Sequence, residues 1–171
     1  MIDEELISPH AGSYYRVPLS LEYVLWWLRS ITDRMGLSRP PVSALPETVP
    51  GIDVSHWQGD LTKAWWSAAY AEGYRFVFLK ATEGRNLRDS KYEGNKANAQ
   101  EAGFKIGAYH FARPQFGGAE QAEFFIGVAG DLDIGGVWDL EHAGGVSAAV
   151  INTRTEEFLS TLNERYGYSW M

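Results

Sequence analysis

VWDLEH, residues 137–142, is the stretch on which the fold reading turns. Side chains alternate faces along a strand, so Val137, Asp139 and Glu141 share one face and Trp138 and Leu140 the other. A strand with Trp and Leu on one side suits a sheet whose apolar face is covered by helices. The two acids then point to the opposite, inner side, near the C-terminal end of the strand, where β/α barrels place their active sites. Two carboxylates at i and i+2 repel when both are ionised, so one takes up its proton more readily and leaves a charged partner beside it. The competing reading is a surface strand carrying two solvated acids.

Working outward, further short apolar runs occupy Gly51–Val54, Arg75–Ala81 and Lys105–Phe111, and another begins at Tyr168. Helical patterns lie between them, near Leu61–Glu72, Lys91–Ala102, Ala119–Ala129 and Ser147–Tyr166. Gly73, Gly103, Gly130 and Gly167 each follow one of these, where a left-handed C-cap is wanted. Strand and helix alternating at intervals of roughly 25–30 residues predict βαβ units and a parallel sheet. A full eight-fold barrel takes about 250 residues. The fold expected for residues 51–171 is therefore an irregular, TIM-like β/α barrel that is incomplete at its C-terminus.

The first 50 residues read differently. Residues 1–35 are a polar start followed by one predicted helix, Ser20 to Met35, with Ser20 as N-cap and Gly36 as stop. Leu21, Val24, Leu25, Leu28 and Ile31 recur at helical spacing, and Trp26 and Trp27 widen that apolar face. Such a face needs something to dock on: the following domain, a second copy or a larger assembly. Residues 36–50, GLSRPPVSALPETVP, read as a proline-stiffened linker.

Composition narrows the chemistry. The 171 residues allow one domain with a sizeable core. A net charge of −7 without a basic patch speaks against a nucleic-acid partner. With no cysteine there are no disulfides and no cysteine-held metal, and the four His show no metal-binding spacing. The start, MIDEEL, is acidic where a signal peptide is basic. The most apolar segment, Leu19 to Ile31, is interrupted by Glu22 and Arg29, so no membrane span is expected. Aromatic content is 14%, with seven Trp. Core packing explains most such rings, although Trp and Tyr faces also line carbohydrate clefts.

Three more motifs join VWDLEH. In GIDVSHWQG, residues 51–59, Asp53 sits between Ile52 and Val54 and by parity points inward. A buried acid is costly unless used or paired; the alternative is a turn or N-cap duty, for which Asp60 is better placed. In FLKATEG, residues 78–84, Lys80 and Thr82 are expected on one face and Glu83 at the strand end. Lys80 then pairs either with an inward acid or in a purely structural bridge. In GAYHFARP, residues 107–114, Tyr109 and His110 fall on opposite faces, and Arg113-Pro114 closes the strand. A lone His in such a run is more often a hydrogen-bonded core residue than a catalyst. No G-x-S-x-G elbow, triad order or phosphate-cradling loop is present. Paired carboxylates without a metal cluster suggest glycoside hydrolysis.

These four motifs, in this order and spacing, closely resemble glycoside hydrolase family 25, the Chalaropsis-type muramidases common among bacteriophage endolysins. The resemblance runs from residue 51 to about 170. It implies a β/α barrel that cleaves the β-1,4 bond between N-acetylmuramic acid and N-acetylglucosamine in bacterial peptidoglycan, without a cofactor. It implies Glu141 as general acid and Asp139 as the residue orienting the substrate's acetamido group for a substrate-assisted attack. Asp53 matches the acid of the first strand and Tyr109 a substrate-contacting tyrosine; Glu83, His110 and Arg113 are expected to line or support the cleft. The family pattern continues through further strands, so a fragment, a barrel completed by a second polypeptide and a degenerate barrel are all open. Action on the cell wall is expected, as an endolysin released from the host cytoplasm or as part of a virion. In the virion reading, the N-terminal helix would contact other phage or lysis proteins.

Overall fold

The computed structural model describes residues 49–167 and the backbone of Ser169 and Trp170. The predicted helix at 20–35 and nearly all of the linker lie outside the described residues. Strands β1 (Gly51–Val54), β2 (Phe76–Glu83), β4 (Lys105–Phe111), β5 (Gly136–Asp139) and β6 (Ser169–Trp170) form a parallel path in that order. Strand β3 (Leu87–Arg88) pairs antiparallel with β2. Helices α1 (Lys63–Ala71), α2 (Tyr92–Ala102), α3 (Gly118–Ala129) and α4 (Ala148–Tyr166) alternate with the parallel strands. The parallel α/β organisation agrees with the expectation. A barrel is not shown: among the described residues the sheet is open, with β1 and β6 at its edges.

Local chemistry sets the helix ends. Thr62 caps α1 by accepting the Trp65 N–H, and Ser147 caps α4 by accepting that of Val150. Asp60, the expected cap of α1, is instead ion-paired to Lys91. Gly103 and Gly167, at φ 96° and 77°, end α2 and α4 in the left-handed conformation that glycine adopts without strain.

Strand parity sorts the two sheet faces. Val77 and Leu79 of β2 lie beside Ile106 and Ala108 of β4, and His110 beside Trp138 of β5. All six are at most 1% exposed. They are covered by Trp66, Ala99, Phe125, Phe158 and Leu162 from the helices. On the other face stand Asp53, Phe78, Lys80, Tyr109, Phe111, Val137 and Asp139. Gly107 leaves room there, since a Cβ on it would sit 2.3 Å from the Phe78 ring.

The strand pattern breaks once. Between Lys80 and Thr82 the β2–β4 register shifts, so that Lys80 opposes Tyr109 but Thr82 opposes His110. This bulge at Ala81 flips the parity of everything after it. Lys80 and Thr82 were expected on one face and lie on opposite ones. Thr82 turns to the helix side, and Glu83 is carried to the side of Lys80 and Tyr109.

His110 is wholly buried on the helix side, stacked at 5.6 Å and 11° on Trp138 and 5.1 Å from Phe158. The expectation that it lines the cleft is therefore corrected, because strand parity turns it away from Tyr109. Gln121 Nε2 donates to the carbonyls of Arg113, Phe116 and Gly117, which leaves Gln121 Oε1 as the acceptor facing His110 Nε2 at 3.0 Å. Nε2 thus carries the proton, and Nδ1 accepts from the Thr82 hydroxyl at 2.7 Å. Burial lowers the His110 pKa to about 4, outweighing the Gln121 hydrogen bond and the Glu83 charge that favour protonation. Between the unfolded value of 6.5 and about 4, the unfolded chain binds this proton and the folded one does not. Stability from this site is full above that window and falls as pH drops through it, by up to about 3 kcal/mol. The loss in urea midpoint between pH 7 and 4.5 should shrink in His110→Gln, which cannot titrate.

Candidate active site

The C-terminal ends of β1, β2, β4 and β5 bring together residues from four distant parts of the chain. Asp139 is the last residue of β5, where its carbonyl accepts the Ala112 N–H at 2.8 Å. The strand was expected to run through Glu141. It stops two residues earlier, and Glu141 stands on the following loop, exposed. Burial first, then the charges of Glu141 and Asp53, against that of Lys80, raise the Asp139 pKa to about 6. Asp53, on β1, is exposed. Its pKa is also raised, by partial desolvation first, against a backbone hydrogen bond, with the Glu141 charge adding. The three acids thus lie within electrostatic reach of one another.

A chain of cations flanks them. Glu83 accepts from Lys80 Nζ at 2.8 Å and from Arg113 Nε at 3.0 Å. Burial alone would raise the Glu83 pKa, but the hydrogen bonds and charges of Lys80 and Arg113 prevail and hold it below the usual range. Glu83 is therefore a fixed carboxylate that orders two cations, and a poor proton donor. Lys80 and Arg113 both approach the Phe111 ring, at 4.6 and 4.9 Å from its centroid. Gln121 holds the Arg113 backbone on both sides, accepting its N–H at 3.0 Å and donating to its carbonyl at 3.1 Å.

Tyr109 lies between the two acid-bearing strands. Burial, with the charges of Asp53, Asp139 and Asp89, pushes its phenol well above the usual range, against a hydrogen bond with Ser55. It keeps its proton and remains a hydrogen-bond donor at any physiological pH. Among the described residues, no group of three or more His, Asp or Glu is arranged to hold a metal ion.

The profile described as Glycosyl hydrolases family 25 matches residues 52–171. The chain belongs to this family. Lysozyme M1 of Streptomyces globisporus is 38% identical over 126 residues, covering 69% of this chain and 42% of its own. The N,O-diacetylmuramidase of Chalaropsis sp. is 38% identical over 117 residues, covering 60% and 54%. The chain thus spans about half the length of the curated relatives it matches. Among solved structures, a muramidase from Trichobolus zukalii is similar at 32% identity and TM-score 0.64, over 71% of this chain and 63% of that one.

The structure of this family 25 chain brings together Asp53, Glu83, Tyr109, Arg113, Asp139 and Glu141, and leaves out His110. It also adds residues that the sequence reading passed over. Ser55 caps the turn after β1, and its spacing to Gln58 is a legible capping-box signal. Asp89 and Gln121 carry no comparable signal, because their partners lie on other elements. The electrostatics can be checked directly. By removing a negative neighbour, Glu141→Gln should move the Asp139 titration below about 6. By removing a positive one, Lys80→Met should move it up. Carboxyl carbon NMR titration reads both, and an unmoved midpoint would contradict the coupling.

Proposed function

We propose that this chain is a muramidase domain acting on bacterial peptidoglycan, hydrolysing the β-1,4 bond from N-acetylmuramic acid to N-acetylglucosamine. The observation that carries the reading is the pair at the end of β5: a half-buried Asp139 with its pKa raised to about 6, beside an exposed Glu141. Family membership and relatives named as lysozyme and N,O-diacetylmuramidase support it. In this reading Glu141 donates a proton to the leaving oxygen as the glycosidic bond breaks. The substrate's acetamido oxygen, oriented by Asp139, attacks the anomeric carbon, and water then opens the cyclic intermediate. Tyr109 donates to the sugar, Asp53 closes the cleft's far wall, and the Lys80–Glu83–Arg113 chain holds the floor. The open parallel sheet is read as one wall of an irregular β/α barrel.

Such an enzyme meets its substrate outside the cytoplasmic membrane, released from a phage-infected cell or carried on a virion. The proline-rich stretch 36–50 supports a tether between the catalytic domain and an N-terminal docking helix. No helix among the described residues is long and apolar enough to cross a membrane.

Product chemistry tests the bond assigned. Digested walls are reduced with borohydride and hydrolysed. New muramicitol is expected; glucosaminitol in its place would mean that the other glycosidic bond is cut.

A further inference from the structure

Trp57 is 78% exposed, the most accessible large apolar side chain among the described residues. It is nevertheless held firmly. It lies in the 3-10 turn, His56–Gln58, that follows β1. Ser55 Oγ accepts the Trp57 N–H at 3.2 Å, and Gln58 Oε1 accepts the Ser55 N–H at 2.7 Å, closing a capping box around the turn.

A second clamp comes from across the fold. Asp89, whose side chain is wholly buried, accepts the His56 N–H at 3.0 Å and meets His56 Nδ1 at 2.6 Å. Its other oxygen accepts the Lys91 N–H at 2.9 Å. The His56 ring, so fixed, lies 4.8 Å from that of Trp57 at a 35° tilt.

Burying an indole is among the largest hydrophobic gains that a side chain offers. A rigid turn that keeps one in water therefore points to an external apolar face. The place of the turn says which. Its cap, Ser55, follows directly on β1, two residues beyond Asp53, at the strand ends where Asp139 and Glu83 also stand. Trp57 thus stands on the same end of the sheet as the acidic centre.

We propose that Trp57 is a stacking platform for a pyranose ring of the glycan strand, beside the cleavage site, with Asp89 as its positioning residue. The C–H face of an N-acetylhexosamine carries weakly positive hydrogens that suit the negative face of an indole, while its hydroxyls and acetamide stay wet. His56 Nε2, the ring nitrogen not committed to Asp89, is available to a sugar hydroxyl. This deepens the muramidase reading and rests on it for the identity of the sugar.

The test uses the full chain and a β-1,4-linked N-acetylglucosamine tetramer, followed by calorimetry, with wall digestion measured in parallel. Trp57→Ala should weaken tetramer binding and raise KM on walls about tenfold with kcat unchanged, and Trp57→Phe should recover most of both. Asp89→Asn should raise KM less, and the double variant Asp89→Asn/Trp57→Ala should be no weaker than Trp57→Ala alone, because Asp89 acts through Trp57. Exposure of Trp57 makes the first variant safe for folding, and circular dichroism checks the others. Wild-type affinity and KM in Trp57→Ala would overturn the platform and leave hydrolysis standing. Wild-type binding lost in Trp57→Ala, with no cleavage by any form, would uphold the platform and remove the muramidase assignment.

Discussion

Glu141→Gln lowers kcat on cell walls by about 10²–10⁴-fold, the usual contribution of a positioned general acid. The substitution keeps size and hydrogen-bonding capacity and removes the ionisable carboxyl, with its transferable proton and its charge. Glu141 is exposed on the loop after β5 and is not part of the core cluster, so folding and wall binding should be unchanged. KM therefore stays near its wild-type value while kcat collapses, the signature of an interaction made only in the transition state. Turbidity clearance and reducing-end release measure it. Equal turnover by the two proteins would remove Glu141 from the chemistry. The Asp139 titration separates this from an indirect effect, since the same variant should lower that midpoint by loss of a neighbouring charge.

Phe158→Ala has the largest expected effect on stability, about 3–5 kcal/mol. Phe158 is fully buried on α4 and lies 4.4 Å from Trp138, 5.1 Å from His110 and 5.9 Å from Phe125. Its removal leaves a cavity bordered by rigid rings, which collapse poorly into it. The site should suffer as well, because Trp138 and Asp139 are neighbours on β5 and the ring fixes how that strand lies. Urea unfolding should show the lower midpoint, and Phe158→Leu a smaller loss. A cost below about 1 kcal/mol would show that α4 does not anchor the strand. Gly118 marks the same packing: a Cβ there would sit 2.0 Å from the Arg154 carbonyl oxygen of α4.

Much of the site was legible before any coordinates. VWDLEH predicted a strand with Trp138 toward the helices and Asp139 toward the cleft, and the register of β4 and β5 agrees. GIDV placed Asp53 on the same side by the same parity, and its pairing with Phe78 agrees. The alternation of strands and helices anticipated the order of β1, β2, β4, β5 and β6. These succeed because strand and helix periodicities are local, and burial of an apolar face selects one phase.

What failed was non-local. Lys80 and Thr82 part company because β2 must bulge at Ala81 to keep pairing with β4, and that depends on the partner strand. Glu83 reaches the cleft through the same bulge, where Lys80 and Arg113 hold it ionised. His110 reads as a possible cleft residue in isolation; only the stacked Trp138 and Phe158 rings and the Gln121 amide make it a neutral core group. Asp89 clamps a turn 33 residues away. The sequence alone therefore determined the facing of Asp53 and Asp139, since side-chain alternation along a single strand needs no second element. The tertiary structure alone decided which charges surround them, since electrostatic neighbours are set by strand register and helix packing between segments far apart in the chain.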